Sequence, residues 1–109
     1  EVFLHDTGSE RRPVVIVSRE ALNQGRYVVV VRITSANFAI RSKQRNCVPF
    51  RAGEFGLTKD CVAQAESITF VPIDELDLGL GAIGVLDETR MRDLIHAIGW
   101  MLDSDCEPT

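Results

Sequence analysis

The residues able to act on a polyanion crowd the first half of this 109-residue chain. From Glu1 to Gly53 nine bases (Arg11, Arg12, Arg19, Arg26, Arg32, Arg41, Lys43, Arg45 and Arg51) stand against four acids, a local charge of +5. From Glu54 onward three bases face twelve acids, a charge of −9, and the whole chain carries −4. A molecule polarised in this way can hold a polyanion on one side while its mean charge stays negative. Arg12 abuts Pro13, and a guanidinium presents a planar fork of donors that matches two phosphate oxygens. The run Arg41-Ser42-Lys43-Gln44-Arg45-Asn46, with Arg51 beyond it, offers phosphate contacts without evident base reading. Phe38 and Phe50 flank that run and are able to stack on bases, although a core position is the plainer reading of both.

Metal and thiol chemistry find little support. Cys47, Cys61 and Cys106 are an odd number of widely spaced cysteines with no CxxC, which reads as reduced thiols in a cytoplasmic protein. His5 and His96 are too few and too isolated for a metal site, so we expect neither a metal nor any other cofactor. Histidine suits proton transfer near neutrality, but His5 lies in a strand away from the basic cluster and is read as structural.

The elements that must position these residues are mostly short strands. Glu1 to His5 and the β-branched run Pro13 to Val17 read as strands, separated by a turn at Thr7 to Glu10. Ser18 caps a short helical turn that ends near Gly25. Tyr27 to Thr34 (YVVVVRIT) is the strongest strand, and its unbroken apolar character predicts burial on both faces. Ala36 to Asn46 reads as a loop, Cys47 to Phe50 as a strand, and Cys61 to Val71 as one strand bent in its middle. One helical turn within Pro72 to Leu78 and a last strand, Ile83 to Leu86, precede the final helix. Asp87 caps that helix, Glu88 to Leu102, whose stripe is Met91, Leu94, Ile95, Ile98, Met101 and Leu102. Trp100 lies about half a turn from the stripe, on the face of Arg92, Asp93 and His96. A large aromatic residue there suits either a partner chain or packing on a neighbouring strand.

The expectation is one mainly β (α+β) domain over residues 1–109, with no repeat and no linker. No apolar run approaches the roughly 18–20 residues that span a bilayer, and no secretory leader is visible, so we expect a cytoplasmic protein without membrane contact. The chain opens on Glu1 inside an apolar stretch, and we expect residues to precede it.

Specific residues add a resemblance. Gly8-Ser9-Glu10 followed by Arg12-Pro13-Val14-Val15-Ile16-Val17-Ser18, then Asn23, Ile33-Thr34-Ser35, Gly56-Leu57-Thr58-Lys59-Asp60-Cys61-Val62-Ala63, Glu66-Ser67-Ile68 and Ile83-Gly84-Val85-Leu86 stand in the order of the PemK/MazF toxin signature. The chain departs from it in a shorter stretch before Arg12 and in Cys61 where serine is commoner. The resemblance implies a small SH3-like PemK/CcdB barrel with short helical insertions and a C-terminal helix. It also implies a type II toxin–antitoxin endoribonuclease that cuts single-stranded RNA, mRNA in our reading, without a metal, by attack of the 2′-hydroxyl. The expected partners are RNA, a cognate antitoxin and a second copy of the chain. A gyrase poison of the CcdB kind, or a non-catalytic interaction module on the same barrel, is the alternative.

Such chemistry needs a base for the 2′ proton, an acid for the leaving oxygen and a stabiliser for the phosphorane charge. Arg12 is the expected stabiliser, because a guanidinium stays protonated near neutrality. Thr34 is expected, from the resemblance, to bond a phosphate oxygen, with Ser35 as substitute hydroxyl. Glu66 and Glu10 are the candidate bases, and either is able instead to orient Arg12. Arg11, Ser35, Arg41, Lys43, Arg45 and Arg51 are the expected RNA contacts, and Trp100 and His96 the expected dimer or antitoxin contacts.

Overall fold

β-branched residues favour an extended, half-buried backbone, and here they build a sheet. The computed structural model describes residues 1–6, 11–18, 25–77 and 79–102. Six strands run antiparallel to their neighbours: β1 (Val2–Asp6), β2 (Arg11–Ile16), β3 (Tyr27–Thr34), β4 (Cys47–Phe50), β5 (Cys61–Gln64) and β6 (Thr69–Pro72). A one-turn helix, α1 (Phe38–Arg41), precedes β4, and a longer one, α2 (Glu88–Met101), closes the described chain. The strand order is β1-β2-β3-β5-β4, with β6 also on β3. Thus β3 is the spine of the sheet. It pairs with β2 through Val30 to Arg32, with β6 through Tyr27 to Val30, and with β5 through Ile33 and Thr34.

Alternation along β3 explains the two cores. Val31 and Ile33 join Val2, Val15, Phe50, Leu94 and Ile98 in the larger one. Val28 and Val30 join Val14, Val71 and Leu76 in the smaller one. Burial on both faces therefore holds in the middle of β3 but fails at Tyr27 and Arg32, which are exposed.

Several boundaries differ from expectation, each for a local reason. The strand expected over residues 61–71 is two strands, parted by a 3-10 turn at Ala65–Ser67. Ser67 fills the gap: its Oγ accepts from the Arg32 N–H (2.9 Å) and donates to the Gln64 carbonyl (2.7 Å). The loop expected over 36–46 contains α1, entered through Asn37 at φ 54°. The strand expected at 83–86 reduces to a single bridge between Val2 and Gly84. The one-turn helix expected near Pro72 is a 3-10 turn, Ile73–Glu75. The helical turn expected after Ser18 lies outside the described residues.

Helix α2 starts as its sequence requires. Asp87 Oδ1 accepts from the Arg90 N–H at 2.7 Å, satisfying one of the unpaired donors of the first turn. Leu94, Ala97 and Ile98 are buried, with Met91 and Met101 packed against the same core. Ile95 and Leu102, assigned to the stripe by spacing, are exposed, and Ala97 takes the inner place.

Two glycines fasten the loop that joins β4 to β5. A Cβ on Gly56 would sit 1.9 Å from the Ile83 carbonyl oxygen, and one on Gly84 would sit 2.0 Å from that of Phe55. The backbones cross where no side chain fits, and Gly56 also takes a φ of +78°. Arg90 adds a second tie, reaching Glu54 Oε2 at 3.1 Å and lying over the Phe55 ring.

Candidate functional site

Pro13 shapes the opening. It stands third in β2, not first as expected, so Arg11 and Arg12 belong to the strand itself. Proline has no N–H to give a ladder, and the β2–β3 pairs begin one residue later, at Val14 opposite Arg32. Beyond that point the ends of β2 and β3 enclose a cleft of about 470 Å³. The β2 end contributes Arg11, Arg12 and Pro13, and the β3 end contributes Ile33, Thr34, Ser35 and Ala36. The loop before β5 forms the remaining wall with Leu57, Thr58, Lys59 and Cys61.

Arg12 and Thr34 belong to this cleft together. Continuing the register from Val14 opposite Arg32 by two residues sets Arg12 across from Thr34, and residues directly opposite share a face of the sheet. The Thr34 Oγ1 accepts from the Ala36 N–H at 3.2 Å. That bond fixes the hydroxyl and leaves its proton for an acceptor in the cleft. Arg11 reaches the same cleft but is committed to Asp77, with Asp6 at 3.9 Å. Ser35 is exposed at the rim.

The thiol in the wall is inert. Burial, aided by the nearby Asp60 and Glu54 carboxylates, pushes Cys61 up to about 11, so at neutral pH it holds its proton and is no nucleophile. Burial likewise raises Cys47.

Other expected site residues are placed elsewhere. Glu66, a candidate base, is not among the residues that line the cleft. Its carboxylate accepts from Asn46 Nδ2 (2.7 Å) and Gln64 Nε2 (3.3 Å), because the 3-10 turn after β5 carries it towards β4. Glu10 lies outside the described residues. His5 is buried, with Nε2 2.9 Å from Glu75 Oε1. Arg51 reaches Asp60 at 3.2 Å and lies 5.2 Å from the Phe38 ring centroid. Phe50 is fully buried against Phe55, which removes it as a base-stacking surface. Arg41 is half-buried at the end of α1 and Lys43 is exposed just beyond it.

Arg45, His96 and Trp100 meet in a second groove, of about 400 Å³, between α2 and β4. The Arg45 guanidinium lies 5.2 Å from the Trp100 ring centroid. Trp100, 41% exposed, thus packs in part against its own chain.

The sequence reading omitted Lys59 and Thr58 from the site. Both stood in the recognised Gly56 to Ala63 element, but turn polarity masked them. Among the described residues no three metal-ligating side chains cluster, and no helix is long and apolar enough to cross a membrane.

Comparison with known proteins follows the same outline. A family model for the PemK-like, MazF-like toxin of type II toxin–antitoxin systems matches residues 1–102. The fold is similar to that of the Mycobacterium tuberculosis toxin MazF-mt6, with a TM-score of 0.78 at 24% identity over 94% of this chain and 95% of that one. A mycobacterial endoribonuclease in complex with its cognate antitoxin gives 0.75 at 26% identity, over 94% and 90% of the two chains. Another mycobacterial endoribonuclease gives 0.73 at 25% identity, over 94% and 86%. No curated protein sequence matches.

Proposed function

Because the chain belongs to the PemK-like, MazF-like toxins of type II toxin–antitoxin systems, we propose that its Arg12–Thr34 cleft cuts single-stranded RNA. The relative at 26% identity is an endoribonuclease with its cognate antitoxin, and we assign this chain the same activity. The single observation that carries the assignment is the meeting of Arg12 and Thr34 in one cleft, on neighbouring strands.

The chemistry follows from the donors. The ribose 2′-hydroxyl gives its proton to a base and its oxygen bonds the adjacent phosphorus. The bond from phosphorus to the 5′ oxygen breaks, that oxygen takes a proton, and a cyclic phosphate remains. Arg12 pairs its fork with two non-bridging oxygens as their charge grows. Thr34 donates its free hydroxyl proton to one of them. Glu66 is not among the residues that line the cleft, so we assign the role of base to Glu10, which adjoins Arg11 in sequence.

Among the described residues, the charged groups that line the cleft are guanidinium and ammonium, with hydroxyls and the Cys61 thiol beside them. A hard divalent cation seeks oxygen anions, and this lining offers it repulsion. We therefore propose cleavage that is independent of metal. The cation set equally suits an acidic segment of an antitoxin, which would exclude RNA by occupying the same place. The groove at Arg45, His96 and Trp100 is the proposed contact for that antitoxin or for a second copy of the chain. A gyrase poison has no use for a phosphate clamp, and nothing in the cleft favours that reading.

Cleavage of a long RNA in EDTA, with the ends mapped by primer extension, tests the proposal. The wild type should cut, and Arg12→Ala should lose about 10²–10³-fold in kcat while staying folded. Unchanged cutting by that variant would remove the assignment, and loss of cutting in EDTA with recovery on adding Mg²⁺ would remove metal independence.

A further inference from the structure

We propose that Lys59 is a further substrate-contacting residue, binding a phosphate that flanks the scissile one from the loop that leads into β5. The inference rests on the cleft being the RNA site and adds a residue that neither the motif chemistry nor the Arg12–Thr34 pair requires.

Charge accounting singles Lys59 out. Other cations are already committed: Arg11 to Asp77 and Asp6, Arg51 to Asp60, and Arg90 to Glu54 and Asp87. Among the described residues no ion pair or hydrogen bond engages the exposed ammonium of Lys59, a residue that lines the cleft. The acid best placed to neutralise it is its own neighbour, Asp60. That carboxylate instead accepts from the Ala52 N–H at 2.9 Å and from Arg51 at 3.2 Å. The same contacts hold Asp60 below the usual carboxylate range, the Ala52 N–H most of all. Lys59 therefore keeps an uncompensated charge at the cleft.

The backbone that carries it is fixed. Within the loop, the Gly53 N–H reaches the Leu57 carbonyl and the Leu57 N–H reaches that of Glu54, both at 2.8 Å. The Arg51 N–H donates to Glu54 Oε1, also at 2.8 Å. The crossing of Gly56 and Gly84 and the Arg90–Glu54 contact then tie the loop to the start of α2. A preorganised loop loses less freedom when it binds a ligand. An ammonium is a compact charge with three rotatable donors, suited to phosphate but not to reading a base. Such a contact is made as well in the ground state as in the transition state, so it acts on KM and not on kcat.

The experiment uses the whole chain with two RNAs, a cleavable strand and the same strand with 2′-O-methyl groups as an uncut binding probe. Lys59→Ala should raise KM and the probe's Kd about tenfold and leave kcat within about twofold. The plot of log Kd against log salt should become shallower by about 0.7, the loss of one single-strand phosphate contact. Lys59→Arg should restore most of the affinity, and Lys59→Gln should behave as Lys59→Ala, separating charge from packing. Unchanged Kd and salt slope in Lys59→Ala overturn the proposal, as does a fall in kcat at constant KM, which would place Lys59 on the scissile phosphate itself. Arg12→Ala distinguishes the two readings. If Arg12→Ala still cuts, the catalytic assignment fails, whereas the uncut probe reads the Lys59 contact independently of catalysis.

Discussion

Cys61 stands in the wall of the cleft with its thiol raised to about 11 from the ordinary 9.0. The unfolded chain therefore releases this proton at lower pH than the folded one does. Between those two values the unfolded state holds fewer protons, so rising pH favours unfolding. We expect the urea midpoint to fall from pH 9 towards pH 11 more steeply in the wild type than in Cys61→Ser; parallel curves would refute the expectation. At pH 8 the native thiol should react with a maleimide far more slowly than the urea-unfolded chain. Around this inert sulfur, Arg12 and Thr34, which the order of the PemK/MazF signature singles out, line one cleft. The placing of Glu66 was not legible, because it depends on a 3-10 turn that splits one expected strand into two. Lys59 was hidden for the opposite reason. A lysine in a turn looks like a solvated charge until the fold shows its neighbouring aspartate bound elsewhere.

The elements show a similar division. An eight-residue run rich in β-branched residues announces β3, and an aspartate ahead of spaced apolar residues announces α2; both appear where expected. Ile83 to Leu86 reads equally as a strand, but Gly84 is there for a backbone crossing, and Val2 gives it only one bridge. Long-range contacts of this kind leave no local signature beyond the glycine itself. Gly84→Ala should destabilise the fold by about 1–3 kcal/mol, the usual cost of forcing atoms into a packed site. The urea midpoint should drop at constant m. Gly25, whose Cβ position meets nothing within 4 Å, supplies the control: Gly25→Ala should shift stability by no more than about 0.5 kcal/mol. Equal effects of the two substitutions would mean that the crossing of loop and bridge does not hold the structure together.

At the scale of the whole molecule, the charge segregation of the sequence does not survive folding unchanged. Acids from the second half return to residues of the first: Asp77 to Arg11, Asp60 to Arg51 and Glu75 to His5. The basic half is therefore partly neutralised from within, at Arg11 and Arg51, and the cleft is where the balance bears on binding. Arg11 lines the cleft yet is held by Asp77, whose side chain is 23% exposed, and by the more exposed Asp6. Half-exposed pairs of this kind contribute little to stability, about 0–1 kcal/mol, so removing one should alter binding more than folding. A carboxylate beside Arg11 both occupies its donors and repels an incoming phosphate. Asp77→Asn removes the charge while keeping a side chain of the same shape. It should tighten binding of an uncut RNA about threefold and steepen the salt dependence, as one more cation becomes free to displace counterions. Asp6 still holds part of Arg11, which keeps the expected gain below that of a full phosphate contact. The paired variant Arg11→Gln, Asp77→Asn should bind no more tightly than Arg11→Gln alone, since the carboxylate then has no guanidinium to restrain. If Asp77→Asn binds RNA with unchanged affinity and salt slope, Arg11 is a strut of the β1–β2 edge and takes no part in holding the substrate.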